Sequence, residues 1–138
     1  MADEKKGRHS QIVFDIDFNE NDIPTNIRWQ SKDGDNEETR DCKTMMVAMW
    51  DPNERNTLRM DLWTDEMQID EMHIHFLQTL MTTAESYQKA TGNPFVVDEM
   101  KKFCEQIAEK TKEWEQQQTD QQDQQGGQQQ EGGQENVH

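Results

Sequence analysis

Cys42-Lys43-Thr44-Met45-Met46-Val47-Ala48-Met49-Trp50-Asp51-Pro52-Asn53 is the stretch on which the fold turns. Cys42, Met45, Met46, Met49 and Trp50 stand at i, i+3, i+4, i+7 and i+8, which is one stripe of an α-helix, and Asp51-Pro52-Asn53 stops that helix sharply. The spacing predicts a first helix that starts near Glu37 and carries the chain from one strand to the next.

On the N-terminal side, residues 1–9 read as a disordered polar leader. Ile12, Phe14, Ile16 and Phe18 then alternate with Val13, Asp15 and Asp17, a strand with one buried face. Asn19-Glu20-Asn21-Asp22 supplies turn residues. Ile27 and Trp29 alternate with Arg28 and Gln30 in a second strand after Pro24, so the two strands form an antiparallel hairpin. Ser31 to Asn36 breaks the pattern as a polar loop.

On the C-terminal side, Leu58, Met60 and Leu62 alternate with Arg59, Asp61 and Trp63 in a strand over Thr57 to Trp63. Leu62 belongs to the core set, where truncation to Ala costs about 2–5 kcal/mol. The outward set is unusual in ending on a tryptophan. Met72, Phe76, Leu77, Leu80, Ala84 and Tyr87 form the apolar stripe of a second helix that closes at Gly92. Asn93 caps a third with Pro94 at its first position, and that helix frays soon after Trp114.

The resulting order is ββαβαα. It predicts an α+β fold: a small three-stranded twisted sheet, strand order 2-1-3 through a right-handed crossover, with three helices packed on one face. Residues 10–114 make one such domain. From Glu115, eleven of twenty-four residues are Gln and four are Gly, a tail too polar to offset the entropy of ordering its backbone, so residues 115–138 read as disordered.

Charge narrows the partners. The formal net charge is -15. Residues 1–114 alone hold fourteen basic against twenty-four acidic residues, a net of -10, so nucleic acid and anionic membrane surfaces are repelled. No apolar run approaches the roughly 20 residues of a spanning helix and the N-terminus lacks an h-region, which points to the cytoplasm. Cys42 and Cys104 read as reduced core thiols.

No catalytic pattern assembles in the sequence, so the chain reads as non-enzymatic, with no cofactor and no metal. His73 and His75, two apart on a helix, point about 200 degrees away from each other. His73 then lines the core edge and His75 is wet. Asp15 and Asp17 on an outward strand face serve solvation. Ser10, Ser31 and Ser86 lack flanking glycines, and Gly34 stands alone.

Recognition is better supplied. Trp63 beside Arg59 and Asp61 is removed from the core by strand alternation, and Trp and Arg are over-represented at binding hot spots. Met45, Met46 and Met49 fill core, or, if partly exposed, form an adaptable groove on the first helix. Two open sheet edges add the expectation of a homodimer.

Taken together, Lys43-Thr44-Met45-Met46, Trp50-Asp51, Thr57 to Thr64, Met67, Asp70-Glu71-Met72, Phe76 and Gln78-Thr79-Leu80 resemble the gliding-motility protein family GldC of gliding Bacteroidota. The likeness extends more loosely through Phe103-Cys104 and Ala108-Glu109-Lys110, about residues 10 to 114. The resemblance implies a cytoplasmic accessory of the gliding machinery, which is coupled to the type IX secretion apparatus; the Trp63 strand face adds the expectation that it binds a protein component there. The Gln-rich tail departs from the family pattern. An acidic, secretion-chaperone-like dimer that keeps exported polypeptides soluble is the alternative.

Overall fold

The computed structural model describes residues 7–32 and 38–135, with side chains through residue 126. The start of the leader, the Asp33-Gly34-Asp35 loop, the expected helix start at Glu37 and the last three residues lie outside the described residues. Seven elements follow one another: β1 (Ile12–Phe18), β2 (Pro24–Ser31), β3 (Thr39–Cys42), β4 (Thr44–Asp51), β5 (Asn56–Trp63), α1 (Ile69–Thr91) and α2 (Pro94–Glu135). They fall into two compact units, Met1–Gln68 and Ile69–His138.

The first unit holds a three-stranded antiparallel sheet of order β1-β2-β3 and a two-stranded sheet β4-β5. The expected hairpin of the first two strands forms, with Phe14 opposite Trp29 and Ile16 opposite Ile27. Its turn is organised by Asn19, whose Oδ1 accepts the N–H groups of Asn21 at 2.8 Å and Ile23 at 3.1 Å. Asp22 takes the left-handed conformation there, φ 59°.

Directly opposed residues share a face. Ile16, Ile27 and Cys42 line one face of the sheet with Phe14, Trp29 and Arg40, whose guanidinium lies 5.8 Å from the Trp29 ring centre. Asp17 and Arg28 occupy the other, joined at 3.1 Å. Ile27, 0% exposed, is the most deeply sealed residue of this unit.

The fold differs from the sequence expectation at the decisive stretch. The three-stranded 2-1-3 sheet with three helices on one face is replaced by five strands in two sheets and two helices. Residues 44–51 are a strand, paired along their whole length with β5. The cause is compositional: Met45 to Trp50 is an unbroken apolar run, and such a run satisfies a helical stripe and a strand equally. Pairing decides between them. Asp51-Pro52-Asn53 is the bend of a β-hairpin, not a helix stop. With no helix between them, β4 and β5 are neighbours in chain and in space, and the crossover disappears. The short β3 carries only Thr39, Arg40, Asp41 and Cys42, so it has no apolar alternation to betray it and owes its strand state to the β2 edge.

The second unit is a helical hairpin. Gly92, at φ +63°, ends α1 and donates its N–H to the Gln88 carbonyl at 2.9 Å. Asn93 then caps α2, its Oδ1 accepting from Phe95 at 3.1 Å and Val96 at 3.4 Å, ahead of the Pro94 entry. Ala84, Val97 and Cys104 are the residues sealed in this unit. Sequence places the end of α2 soon after Trp114, yet the backbone stays helical to Glu135. Gln and Glu propagate a helix already nucleated at low cost per residue, and the segment contains no proline.

Candidate interaction surface

The β4-β5 ribbon is built from its turn outward. Asp51 Oδ1 accepts the N–H groups of Asn53 at 2.9 Å and Glu54 at 3.4 Å, and Arg55 closes the bend at φ 51°. A left-handed conformation costs a non-glycine residue about 1–2 kcal/mol. Glycine removes that strain but loses about 0.4–1 kcal/mol through its freer unfolded chain. Arg55→Gly is therefore expected to raise stability by about 0.5–1 kcal/mol, read as a higher urea midpoint at unchanged slope.

Register fixes which side chains meet. Thr44 opposes Trp63, Met46 opposes Asp61, Ala48 opposes Arg59 and Trp50 opposes Thr57. One face of the ribbon thus gathers Arg59, Asp61, Trp63, Met46 and Trp50. Arg59 Nε lies 2.9 Å from Asp61 Oδ2, and its Nη2 donates to the Met46 sulfur at 3.3 Å. Trp63 is 53% exposed and Trp50 60%. At about 3.4 Å per strand residue, the six steps from Thr44 to Trp50 set the two indoles roughly 20 Å apart along the ribbon.

The opposite face carries Met45 with Leu62, Val47 with Met60, and Met49 with Leu58. The proposed methionine group is therefore divided: Met46 joins Trp63, Met45 is buried, and Met49 stands exposed on the far side. The groove expected on a first helix does not exist, because its three methionines alternate along a strand. Leu62 is half-buried, and Leu58 and Met60 are exposed, so the inner row is less enclosed than alternation alone suggests. Trp50, which the sequence reading assigns to a helical stripe, is an exposed aromatic of the Trp63 face. The unbroken apolar run Met45 to Trp50, which a strand divides between two faces, was the signal that could have placed it there.

A cleft of about 390 Å³ opens beside Trp63, its lining including Asp22, Pro24, Asp61, Thr64 and Asp65. Backbone bonds from Thr64 N to the Lys43 carbonyl at 2.8 Å and from Asp65 N to the Pro24 carbonyl at 3.1 Å bring these distant segments together. Thr64 is 4% exposed, and its Oγ1 has no hydrogen-bond partner among the described residues.

Other candidate groups lie elsewhere. Both cysteines are free. Burial first, and then the Asp41 carboxylate, push the Cys42 thiol above its ordinary range, which keeps it protonated at neutral pH. His73 stacks edge-on against Trp114 at 5.2 Å. His75 is half-buried beside Phe76 rather than wet. Among the described residues no group of three His, Cys, Asp or Glu is placed to hold a metal ion. No described helix is long and apolar enough to cross a membrane.

Fold and surface together describe a small α+β protein of two units whose outstanding chemical feature is an open strand face bearing two indoles and an ion pair. The family model for gliding motility-associated proteins, GldC-like, matches residues 24–113. The chain belongs to that family. The match takes in β2 through β5, α1 and the first part of α2. No curated protein and no solved structure matches the chain.

Proposed function

We propose that this protein is a non-enzymatic accessory of the gliding apparatus that binds one of its protein components through the outer face of the β4-β5 ribbon. The observation that carries the reading is Trp63, half-exposed beside the Arg59–Asp61 pair on a strand with Trp50 at the far end of the same face. Large rigid aromatics give contact area at little conformational cost, and a neighbouring Arg adds directional hydrogen bonding. Membership of the GldC-like family supplies the biological setting. The proposal extends to the type IX secretion machinery coupled to gliding and to the cytoplasm as the working compartment. A net charge of -15 supports a protein partner over nucleic acid.

Affinity capture from gliding cells tests it, with tagged wild-type and Trp63→Ala chains compared under the same conditions. The partner recovered by the wild type is expected to fall about tenfold or more with Trp63→Ala, the size of a single hot-spot loss. Equal recovery by both chains contradicts the assignment.

The helical unit supports a second reading. Phe95 is 84% exposed, Ile74 56% and Phe103 51%, apolar surface of the kind that holds an unfolded client. On that reading the protein is an acidic chaperone-like dimer, and its partner is an exported polypeptide held through apolar side chains.

A further inference from the structure

The cleft beside Trp63 has a chemistry of its own. Three carboxylates, Asp22, Asp61 and Asp65, line it together with the indole and the Pro24 ring. Asp61 is engaged by Arg59, whereas Asp22 and Asp65 form no ion pair among the described residues. Thr64, 4% exposed, belongs to the same wall, its backbone N–H held by the Lys43 carbonyl at 2.8 Å. At about 390 Å³ the cleft lies near the lower end of the roughly 300–1,000 Å³ range of small-ligand sites, space for one long side chain.

We propose that this cleft receives an arginine side chain from a basic segment of the protein partner. The inference rests on the docking reading above and names the chemistry that the partner must present. An indole face attracts a cation, and carboxylates hold a planar guanidinium through paired hydrogen bonds. Arginine fits better than lysine because its flat, weakly hydrated head can lie on Trp63 while its N–H groups reach Asp22 and Asp65. The acidity of the chain as a whole repels anionic ligands and steers a basic one inward. The fixed backbone at Thr64 and Asp65 keeps the site in place before the partner arrives.

Binding of a fluorescent (Gly-Arg)4 peptide to the full chain, followed by anisotropy, tests this, with (Gly-Lys)4 and (Gly-Glu)4 as comparisons. The Arg peptide is expected to bind more tightly than the Lys peptide, and the Glu peptide not at all. Trp63→Ala, and separately the double variant Asp22→Asn with Asp65→Asn, are each expected to weaken the Arg peptide about tenfold. Asparagine keeps the shape of both sites and tolerates the left-handed conformation at residue 22, so the double variant should fold. Asp15→Asn with Glu54→Gln, in the same unit but outside the cleft lining, removes the same charge and should change affinity less than about twofold, since exposed charges at a distance are screened. Equal losses in the two double variants, or an unchanged affinity in Trp63→Ala, overturn the proposal. If native-partner capture is lost with Trp63→Ala but kept with Asp22→Asn plus Asp65→Asn, the arginine site is wrong and the docking face stands. Capture retained by Trp63→Ala removes both.

Discussion

Ile27→Ala is expected to lower the stability of the strand unit by about 2–5 kcal/mol, a larger change than any truncation at the outer face. Ile27 is 0% exposed and sits at the middle of the sheet, opposite Ile16 on one side and Cys42 on the other. Removing three carbons there leaves a cavity that strands on both sides cannot collapse to fill without breaking their register. Urea titration followed by tryptophan fluorescence should show an earlier midpoint at similar slope. The sequence alone points this test at Leu62, but that side chain is half-buried, so Leu62→Ala loses less transfer energy and opens no closed void. The ranking Ile27→Ala above Leu62→Ala is therefore itself a prediction of the fold.

Val97→Asp is the second large effect, and it falls on the helical unit. Val97 is 2% exposed, in the first turns of α2 after the Asn93 cap. A carboxylate placed there loses its hydration with no cation supplied, which costs on the order of 3–5 kcal/mol for an uncompensated buried charge. The positive end of the helix returns about 0.5–1 kcal/mol to a negative group near its N-terminus. The penalty wins by several fold. Far-UV circular dichroism is expected to show lower helix content and an earlier thermal transition, with partial recovery as acid neutralises the new carboxylate. Substitution of the 84% exposed Phe95 by Ala should leave the same signal nearly unchanged.

The contrast between what was legible and what was not follows the range of the forces involved. The β1-β2 hairpin and the Gly92-Asn93-Pro94 junction are encoded locally, by alternation, turn residues and caps, and both stand in the structure. Residues 44–51 are different. With apolar side chains at six consecutive positions, their local signal is ambiguous, and the partner strand β5 supplies the decision. The strand state of Thr39 to Cys42 likewise comes from pairing, since its own side chains are polar.

The same division runs through the site. Arg59, Asp61 and Trp63 share a face because a strand has period two, which can be read without a structure. Met45, Met46 and Met49 were grouped by a period of 3.6, and the strand separates Met46 from the other two. The cleft was invisible for a third reason. Asp22 and Asp65 are far apart in the chain, and their segments are drawn together by long-range bonds such as that from Asp65 N to the Pro24 carbonyl.

Thermal unfolding of Trp63→Ala tests most directly whether the indole serves recognition or scaffold. With 53% of its surface in water, its removal is expected to cost at most about 2 kcal/mol and to leave a single cooperative transition, well above that of Ile27→Ala. A Trp63→Ala chain that melts without cooperativity, or below Ile27→Ala, contradicts the account, because the ring would then be holding the ribbon together and not waiting for a partner.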